Sequence, residues 1–282
     1  MRRTNPHSGT RLTGMLSIAA LLSACASTPE PEQPTAEQTR LEMQSYIVSE
    51  QVEDGRGRFR EVFCAVLEER GEDLPDYRPC EEALRDTGFE QGATGKPVSL
   101  GQAQSSALLL MVPGLGWNCF EDFLDISGSG PKHIAKFGYE MRMVPVDGLS
   151  STQNNARMIR DYVAQLPPED AGRPIILAGY SKGAPDILEA VVAYPELAEK
   201  VRAVVSIAGA VHGSPLAVDS TQGQANMLTM VPGSNCEEED GDNDAVNSLL
   251  PSVREQWLAD NPRPDHIRFY SVVTFPEPDR VS

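Results

Sequence analysis

Two patterns of apolar positions divide the 282-residue chain near residue 97. Over residues 35–85 the apolar side chains recur at helix-like intervals among many charges, which predicts two or three helices broken around Gly55 and Pro75. Farther along, short apolar runs alternate with amphipathic segments. The runs predicted as strands are residues 107–112, 141–146, 174–179, 202–208 and 267–274. The helices predicted between them are residues 155–166, 184–194 and 244–260, the last with Asp244 as its N-cap.

Strands that alternate with helices indicate right-handed βαβ units and a mostly parallel sheet. The runs are almost continuously apolar, which is typical of a sheet covered by helices on both faces. We therefore expect an α/β domain over residues 97–282, preceded by a small helical segment over residues 39–96.

The first residues have the pattern of an export signal. Three arginines precede an apolar run over residues 12–22, which is too short to span a bilayer. The run ends in Leu22-Ser23-Ala24-Cys25, which resembles the lipobox of bacterial lipoproteins. The resemblance implies a signal peptide over residues 1–24, lipidation of Cys25, and an exported protein anchored to a membrane of the bacterial cell envelope, facing the periplasm. The alternative is an ordinary signal peptide with a chance cysteine.

Composition adds two constraints. Residues 25–38 are rich in Pro, Ser, Thr, Glu and Gln, cannot bury a core, and are interpreted as an extended tether. The formal net charge is -17, and a surface this negative repels phosphate backbones. Nucleic acid is therefore not an expected partner.

The candidate chemistry is concentrated in Gly179-Tyr180-Ser181-Lys182-Gly183, which matches G-x-S-x-G. A predicted strand precedes the motif and a predicted helix follows it, which is the context that this motif requires. Glycines on both sides of Ser181 remove the Cβ atoms that would clash in a tight strand–turn–helix corner. Ser181 would be strained there, with its hydroxyl above the sheet edge and the helix N-terminus aimed at the same point.

This motif and two other segments resemble the α/β-hydrolase superfamily, in particular its lipases and esterases. In that superfamily, a loop like Pro113-Gly114-Leu115-Gly116 supplies one oxyanion-hole donor, and the residue after the nucleophile supplies the other. The resemblance implies that the donors are the backbone N–H groups of Leu115 and Lys182. Residues 206–215 are similar to the strand end and G-S/T-P segment of many lipases and esterases. The likeness covers residues 108–274.

The resemblance implies a serine-dependent hydrolase of carboxylic esters that works through an acyl-enzyme, with a small-molecule or lipid acyl ester as substrate. Ser181 would attack the carbonyl, and we assign no cofactor and no metal. Two alternatives stay open: a catalytically silent lipoprotein that binds a ligand or partner, and an acyl transferase. We expect the Lys182 side chain to pair with Asp186, which lies four residues on and on the same helix face.

The rest of a catalytic triad is harder to place. In the superfamily, an acid follows a late strand and a histidine follows the last one. Asp279 is the best placed acid, and Asp219 is the alternative. His266 starts its strand, at the end of the sheet opposite the serine. His212 lies at the correct end, in a segment that is usually structural in this superfamily. We therefore expect the natural protein to continue beyond Ser282 and to supply the histidine there, with His212 as the alternative base.

Four cysteines remain after residue 25, and an even number in an exported chain indicates two disulfides. Three connectivities are possible. We favour Cys64–Cys80, which would join the N-terminal helices, and Cys119–Cys236, because both of those residues belong to loops at the carboxyl end of the sheet. The alternative is four free, buried thiols.

Overall fold

The computed structural model describes residues 52–71, 77–84, 92–102, 107–117, 129–225 and 241–273. Residues 54–275 form one compact unit. The strands are β1 (Leu108–Val112), β2 (Glu140–Met143), β3 (Ile175–Tyr180), β4 (Val201–Ile207) and β5 (Arg268–Val272). The helices are α1 (Arg56–Arg70), α2 (Cys80–Ala83), α3 (Ser129–Ala135), α4 (Thr152–Ala164), α5 (Gly183–Ala193), α6 (Pro195–Ala198), α7 (Pro215–Val218), α8 (Gln222–Ala225), α9 (Ala245–Ser248) and α10 (Pro251–Asp260). A 3-10 turn spans Pro168–Asp170.

The strands form one parallel sheet in the order β2-β1-β3-β4-β5, which confirms the predicted α/β fold. The register pairs Val112 with Gly179 and Tyr180 with Ile207, and Ile207 in turn with Val272. The carboxyl ends of β1, β3, β4 and β5 therefore lie along one edge of the sheet. The loops that leave these strands meet at that edge, where open α/β sheets place their ligand sites.

The core lies between the central strands and the helices that cover them. Its members are buried aliphatic side chains of β1, β3, β4, α4 and α5, among them Leu108, Leu110, Val112, Ile159, Leu177, Ile187, Val191 and Val204. Each fully buried side chain of this kind contributes about 1.5–3 kcal/mol relative to an exposed one. The predicted burial on both faces applies to the central strands. It fails at β5, an edge strand of this sheet, where Tyr270 is 52% exposed.

The predicted helix over residues 244–260 is wrong as a single element. It divides into α9 and α10, and Leu250 between them is extended, with ψ 132°. Pro251 causes the break, because a proline lacks the N–H that a continuous helix needs and disfavours helical backbone in the residue before it. Asp244 precedes α9 without capping it by a side-chain hydrogen bond, and it accepts instead from Asn247 Nδ2 at 2.5 Å.

The N-terminal part of the compact unit contains α1 and α2. Cys64 on α1 is bonded to Cys80 at the start of α2, with a Cα–Cα distance of 5.2 Å. Arg58 donates to the carbonyl oxygens of Lys96 (2.7 Å) and Pro97 (3.1 Å) in the extended segment before β1. None of the described helices is long and apolar enough to cross a membrane.

Four sequence-predicted residues lie outside the described ranges, namely Cys25, Cys119, Cys236 and Asp279. The expected lipidation, the Cys119–Cys236 bridge and the candidate acid therefore stay predictions.

Candidate active site

Ser181 stands at the corner between β3 and α5 in a left-handed backbone conformation, with φ 51°. A residue with a side chain adopts this conformation at a cost, so its surroundings must hold it there. Its N–H donates to the carbonyl oxygen of Ile207 at 3.0 Å, and its own carbonyl accepts from Ala184 (3.2 Å) and Ala210 (3.1 Å). Hydrogen bonds to β4, to the loop after β4 and to α5 therefore fix the strained corner that the motif predicts.

The two motif glycines are required because neither position has room for a Cβ atom. A Cβ atom on Gly179 would lie 2.6 Å from the backbone nitrogen of Ala184. A Cβ atom on Gly183 would lie 2.7 Å from the carbonyl oxygen of Pro113 and closer still to that of Val112. The first turn of α5 therefore packs directly on the end of β1, and only glycine fits there.

The loop after β1 lies beside the serine. A Cβ atom on Gly114 would lie 3.1 Å from Ser181 Cβ, so the two backbones are in close approach. Within the described residues, the N–H groups of Leu115 and Lys182 donate to no backbone carbonyl. The next N–H of the loop, that of Gly116, donates to the carbonyl oxygen of Gly148 at 3.2 Å. The two expected oxyanion donors thus follow the two residues that approach each other, Gly114 and Ser181, and the loop that contains Gly148 holds the first of them through Gly116.

The Lys182 side chain pairs with Asp186, as predicted. Lys182 Nζ lies 2.8 Å from Oδ1 and 2.9 Å from Oδ2, and the two side chains are 1% and 0% exposed. Burial raises the pKa of Asp186 to about 6, although Lys182 and a hydrogen bond from Asn155 oppose that rise. Because the ammonium is turned into the protein and paired, it does not present a charge to a substrate.

The histidines are placed as expected from the strand ends. His212 is exposed in the turn after β4, two residues beyond Ala210. His266 Nε2 lies 3.0 Å from the carbonyl oxygen of Ala198, which precedes β4, so this histidine is at the opposite end of the sheet. Asp219 is exposed at the end of α7.

Sequence reasoning missed the loop of residues 147–151, which follows β2 at the same edge of the sheet as Ser181. The Asp147 carboxylate accepts from the N–H of Leu149 (2.8 Å) and the hydroxyl of Ser150 (2.7 Å), which closes the loop on itself. Its place after a parallel strand was a usable signal, since polar residues at carboxyl strand ends gather at the ligand edge.

Asp242 binds the same loop through two hydrogen bonds. It accepts from the backbone N–H of Ser151 (2.7 Å) and from its hydroxyl (2.5 Å). Partial burial acts to raise the pKa of Asp242, but the hydrogen bonds to its carboxylate, those from Ser151 first among them, together outweigh it and hold the pKa below its usual value. The described residues contain no group of three or more His, Cys, Asp or Glu side chains arranged to hold a metal ion.

Solved structures that are similar to this chain include esterases and lipases. The metagenomic carboxyl esterase MGS0156 is 36% identical, with a TM-score of 0.69, over 78% of this chain and 66% of that one. The Bacillus licheniformis lipase BlEst2 in its mature form is 20% identical, with a TM-score of 0.47, over 63% of this chain and 69% of that one. The Legionella pneumophila phospholipase PlaB is 15% identical, with a TM-score of 0.37, over 58% and 38%.

No family model and no curated protein sequence matches the chain. The fold, the serine corner and the likeness to the carboxyl esterase together define the class: the chain belongs to the α/β-hydrolase superfamily. It spans 66% of the length of that esterase.

Proposed function

We propose that this protein is a serine-dependent hydrolase of carboxylic esters. The observation that carries the proposal is the strained backbone of Ser181, close to the loop at Gly114, with the N–H groups of Leu115 and Lys182 without a backbone acceptor among the described residues. Ser181 Oγ would attack the acyl carbonyl, and the two N–H groups would stabilise the negative charge on its oxygen. The alcohol would leave with a proton, and water would then cleave the acyl-serine ester to release the acid.

An apolar acyl or alcohol group suits the surface around the serine. Exposed apolar side chains stand at or after the carboxyl ends of three strands, and their exposed fractions run from 40% to 78%: Leu115, Tyr180, Leu216 and Val218. The net charge of -17 disfavours anionic substrates by long-range repulsion. We therefore propose uncharged esters, from small molecules to lipids, as the substrate class. The carboxyl esterase named above supports an ester rather than another acyl compound.

The proposal is tested on the full-length protein with a fluorophosphonate probe and with p-nitrophenyl butyrate. We expect covalent labelling and hydrolysis in the wild type, and the loss of both in Ser181→Ala, because removal of the nucleophile leaves only a small residual rate. Ser206→Ala on the neighbouring strand β4 is the matched control and should keep both. A wild type that neither reacts with the probe nor hydrolyses the ester would show that the protein is a catalytically silent binding protein. Product that forms mainly on an added alcohol rather than on water would indicate an acyl transferase.

We also propose that Cys25 carries a lipid that anchors the protein to a membrane of the bacterial cell envelope, facing the periplasm. The support is the apolar run over residues 12–22 and the small residues before the cysteine. In cells fed labelled palmitate, the wild type and Ser27→Ala should take up label and fractionate with membranes. Cys25→Ala should do neither, and a labelled, membrane-bound Cys25→Ala variant would show that the anchor lies elsewhere.

A further inference from the structure

We infer that Asn155 is a positioning residue. Its hydrogen bonds to Asp147 and Asp186 fix the two proposed oxyanion donors relative to each other. The inference rests on the proposed function, since it concerns how that site is held. Asn155 lies in the first turn of α4 and is 0% exposed. It touches neither of the proposed donors, so it can act only through the groups between them.

One hydrogen bond leads from Asn155 to the donor at Lys182. Asn155 Nδ2 donates to Asp186 Oδ2 at 2.8 Å, and both oxygens of that carboxylate bind Lys182 Nζ. The side chain that follows the serine is therefore held in place by a carboxylate that Asn155 itself orients. Asp186 also belongs to the first turn of α5, whose close packing on β1 sets the corner.

A second hydrogen bond leads to the donor at Leu115. The same Nδ2 atom donates to the carbonyl oxygen of Asp147 at 2.8 Å. The next carbonyl in that loop, of Gly148, accepts from Gly116 at 3.2 Å, one residue beyond Leu115. The amide nitrogen of Asn155 thus joins the loop of residues 147–151, which contacts Gly116 next to the first donor, to the Lys182–Asp186 ion pair at the second donor.

The chemistry of the position requires an amide rather than a side chain of the same shape. An amide nitrogen has two hydrogens, and here both are used on acceptors from different elements. Asn155 Oδ1 is buried and makes no hydrogen bond within the described residues. An unsatisfied buried oxygen is unfavourable, so the residue is explained by its donors. A leucine would fill the space and remove both bonds, while an aspartate would place a second carboxylate against Asp186.

The neighbouring Asn154 provides a matched control. It is also in the first turn of α4 and is 9% exposed. Its Nδ2 contacts Met158 Sδ at 3.8 Å, and its Oδ1 accepts from Arg157 at 2.5 Å, both within α4. Neither contact leads to the loop of residues 147–151 or to Asp186. Asn154→Leu therefore reproduces the loss of a buried amide from this helix turn without removing the link.

The experiment compares Asn155→Leu, Asn155→Ser and Asn154→Leu in the full-length protein with p-nitrophenyl butyrate. Displacing a reacting or stabilising group by about 1 Å costs roughly 100-fold in rate. We therefore expect Asn155→Leu to lower kcat by about 10- to 100-fold with KM changed less than about threefold. Asn155→Ser keeps one donor and should lose less, and Asn154→Leu should keep the wild-type kcat. Inhibition by an aryl trifluoromethyl ketone, which places an oxyanion in the same hole, should weaken by the same factor as kcat/KM.

The outcomes test the role of Asn155 separately from the proposed ester hydrolysis. If the wild type is active and Ser181→Ala is dead, but Asn155→Leu and Asn155→Ser keep the wild-type kcat, the inference is wrong and the function stands. Equal losses of kcat and thermal stability in the Asn154 and Asn155 variants would show a purely structural role, which also overturns it. If Asn155→Leu does not fold, Asn155→Ser decides on the same criteria. A wild type that neither hydrolyses the ester nor reacts with the fluorophosphonate overturns both.

Discussion

Gly183→Ala is expected to lower both the stability of the protein and the proposed ester hydrolysis. A Cβ atom at this position would lie 2.7 Å from the carbonyl oxygen of Pro113 and 2.8 Å from the carbonyl carbon of Val112. Both are backbone atoms, at the end of β1 and the start of the loop that carries Leu115. They cannot rotate away as a side chain could, so the first turn of α5 must move away from β1.

The size of the effect follows from the distances. Contacts of a Cβ atom below 3.0 Å are essentially never seen, so the two elements must separate by several tenths of an ångström to about 1 Å. Overpacking of this kind costs about 1–3 kcal/mol. For a chain of this size each kcal/mol lowers the Tm by about 2–4 °C. The same movement would separate the proposed donors at Leu115 and Lys182, and we therefore expect kcat to fall by about 100-fold.

Thermal unfolding followed by circular dichroism, together with kcat on p-nitrophenyl butyrate, measures the two effects. Gly92→Ala is the control, because Gly92 is exposed and a Cβ atom there would meet nothing within 4 Å. It should leave the Tm and kcat unchanged. A Gly183→Ala variant with the Tm and kcat of the wild type would refute the close packing of α5 on β1.

Two further predictions concern Glu61 and His212. Hydrogen bonds from Thr94 and Arg58 lower the pKa of Glu61 to about 2, so its stabilising effect is present above its ordinary pKa of 4.5 and is lost as the pH falls toward 2. Glu61→Gln should therefore unfold at a lower temperature than the wild type at neutral pH, and the two melting curves should converge in acid. His212→Ala should keep most of the ester hydrolysis, because that turn is expected to be structural; a loss as large as that of Ser181→Ala would instead identify His212 as the base.

The strands and the serine corner could be predicted because their signals are local. Five apolar runs gave five strands, and the glycines at 179 and 183 are explained by backbone atoms a few residues away or on the adjacent strand. The break between α9 and α10 was also local, since Pro251 cannot continue a helix, and the apolar periodicity of the segment masked it.

The hydrogen bonds that hold the loop of residues 147–151 and Asp186 in place could not be predicted, because they join residues that are far apart in sequence. Asn155 and Asp186 are 31 positions apart, and Ser151 and Asp242 are 91 apart. In the sequence, Asn155 is one of several polar residues at a helix start, where asparagine is most often explained by capping. Only the order of the strands brings the loop after β2 beside the loop after β1, and it thereby gives the amide its two acceptors.

The Lys182–Asp186 pair should behave as a buried ion pair whose two members are not equivalent when one is removed alone. Asp186→Leu leaves an ammonium buried without its partner, which costs about 3–5 kcal/mol. Lys182→Met leaves a carboxylate that can take up a proton, because burial already raises its pKa to about 6 and the loss of Lys182 raises it further. Below that pKa the Asp186 carboxyl of the variant is neutral, so no unpaired charge is buried. Arg254 opposes this, because it favours the ionised carboxylate.

The pH dependence of Lys182→Met follows from the sign of this shift. A carboxyl whose folded pKa exceeds its unfolded value loses stability as the pH rises through that interval. In the wild type this loss of stability ends near pH 6, the folded pKa of Asp186. In Lys182→Met the loss continues up to the higher pKa. The difference between the unfolding free energies of the two proteins should therefore widen above about pH 6. The double variant Lys182→Met/Asp186→Leu should be as stable as the wild type to within about 1–2 kcal/mol. Urea unfolding of all four proteins measures the cycle, and single costs that simply add in the double variant would contradict the pairing.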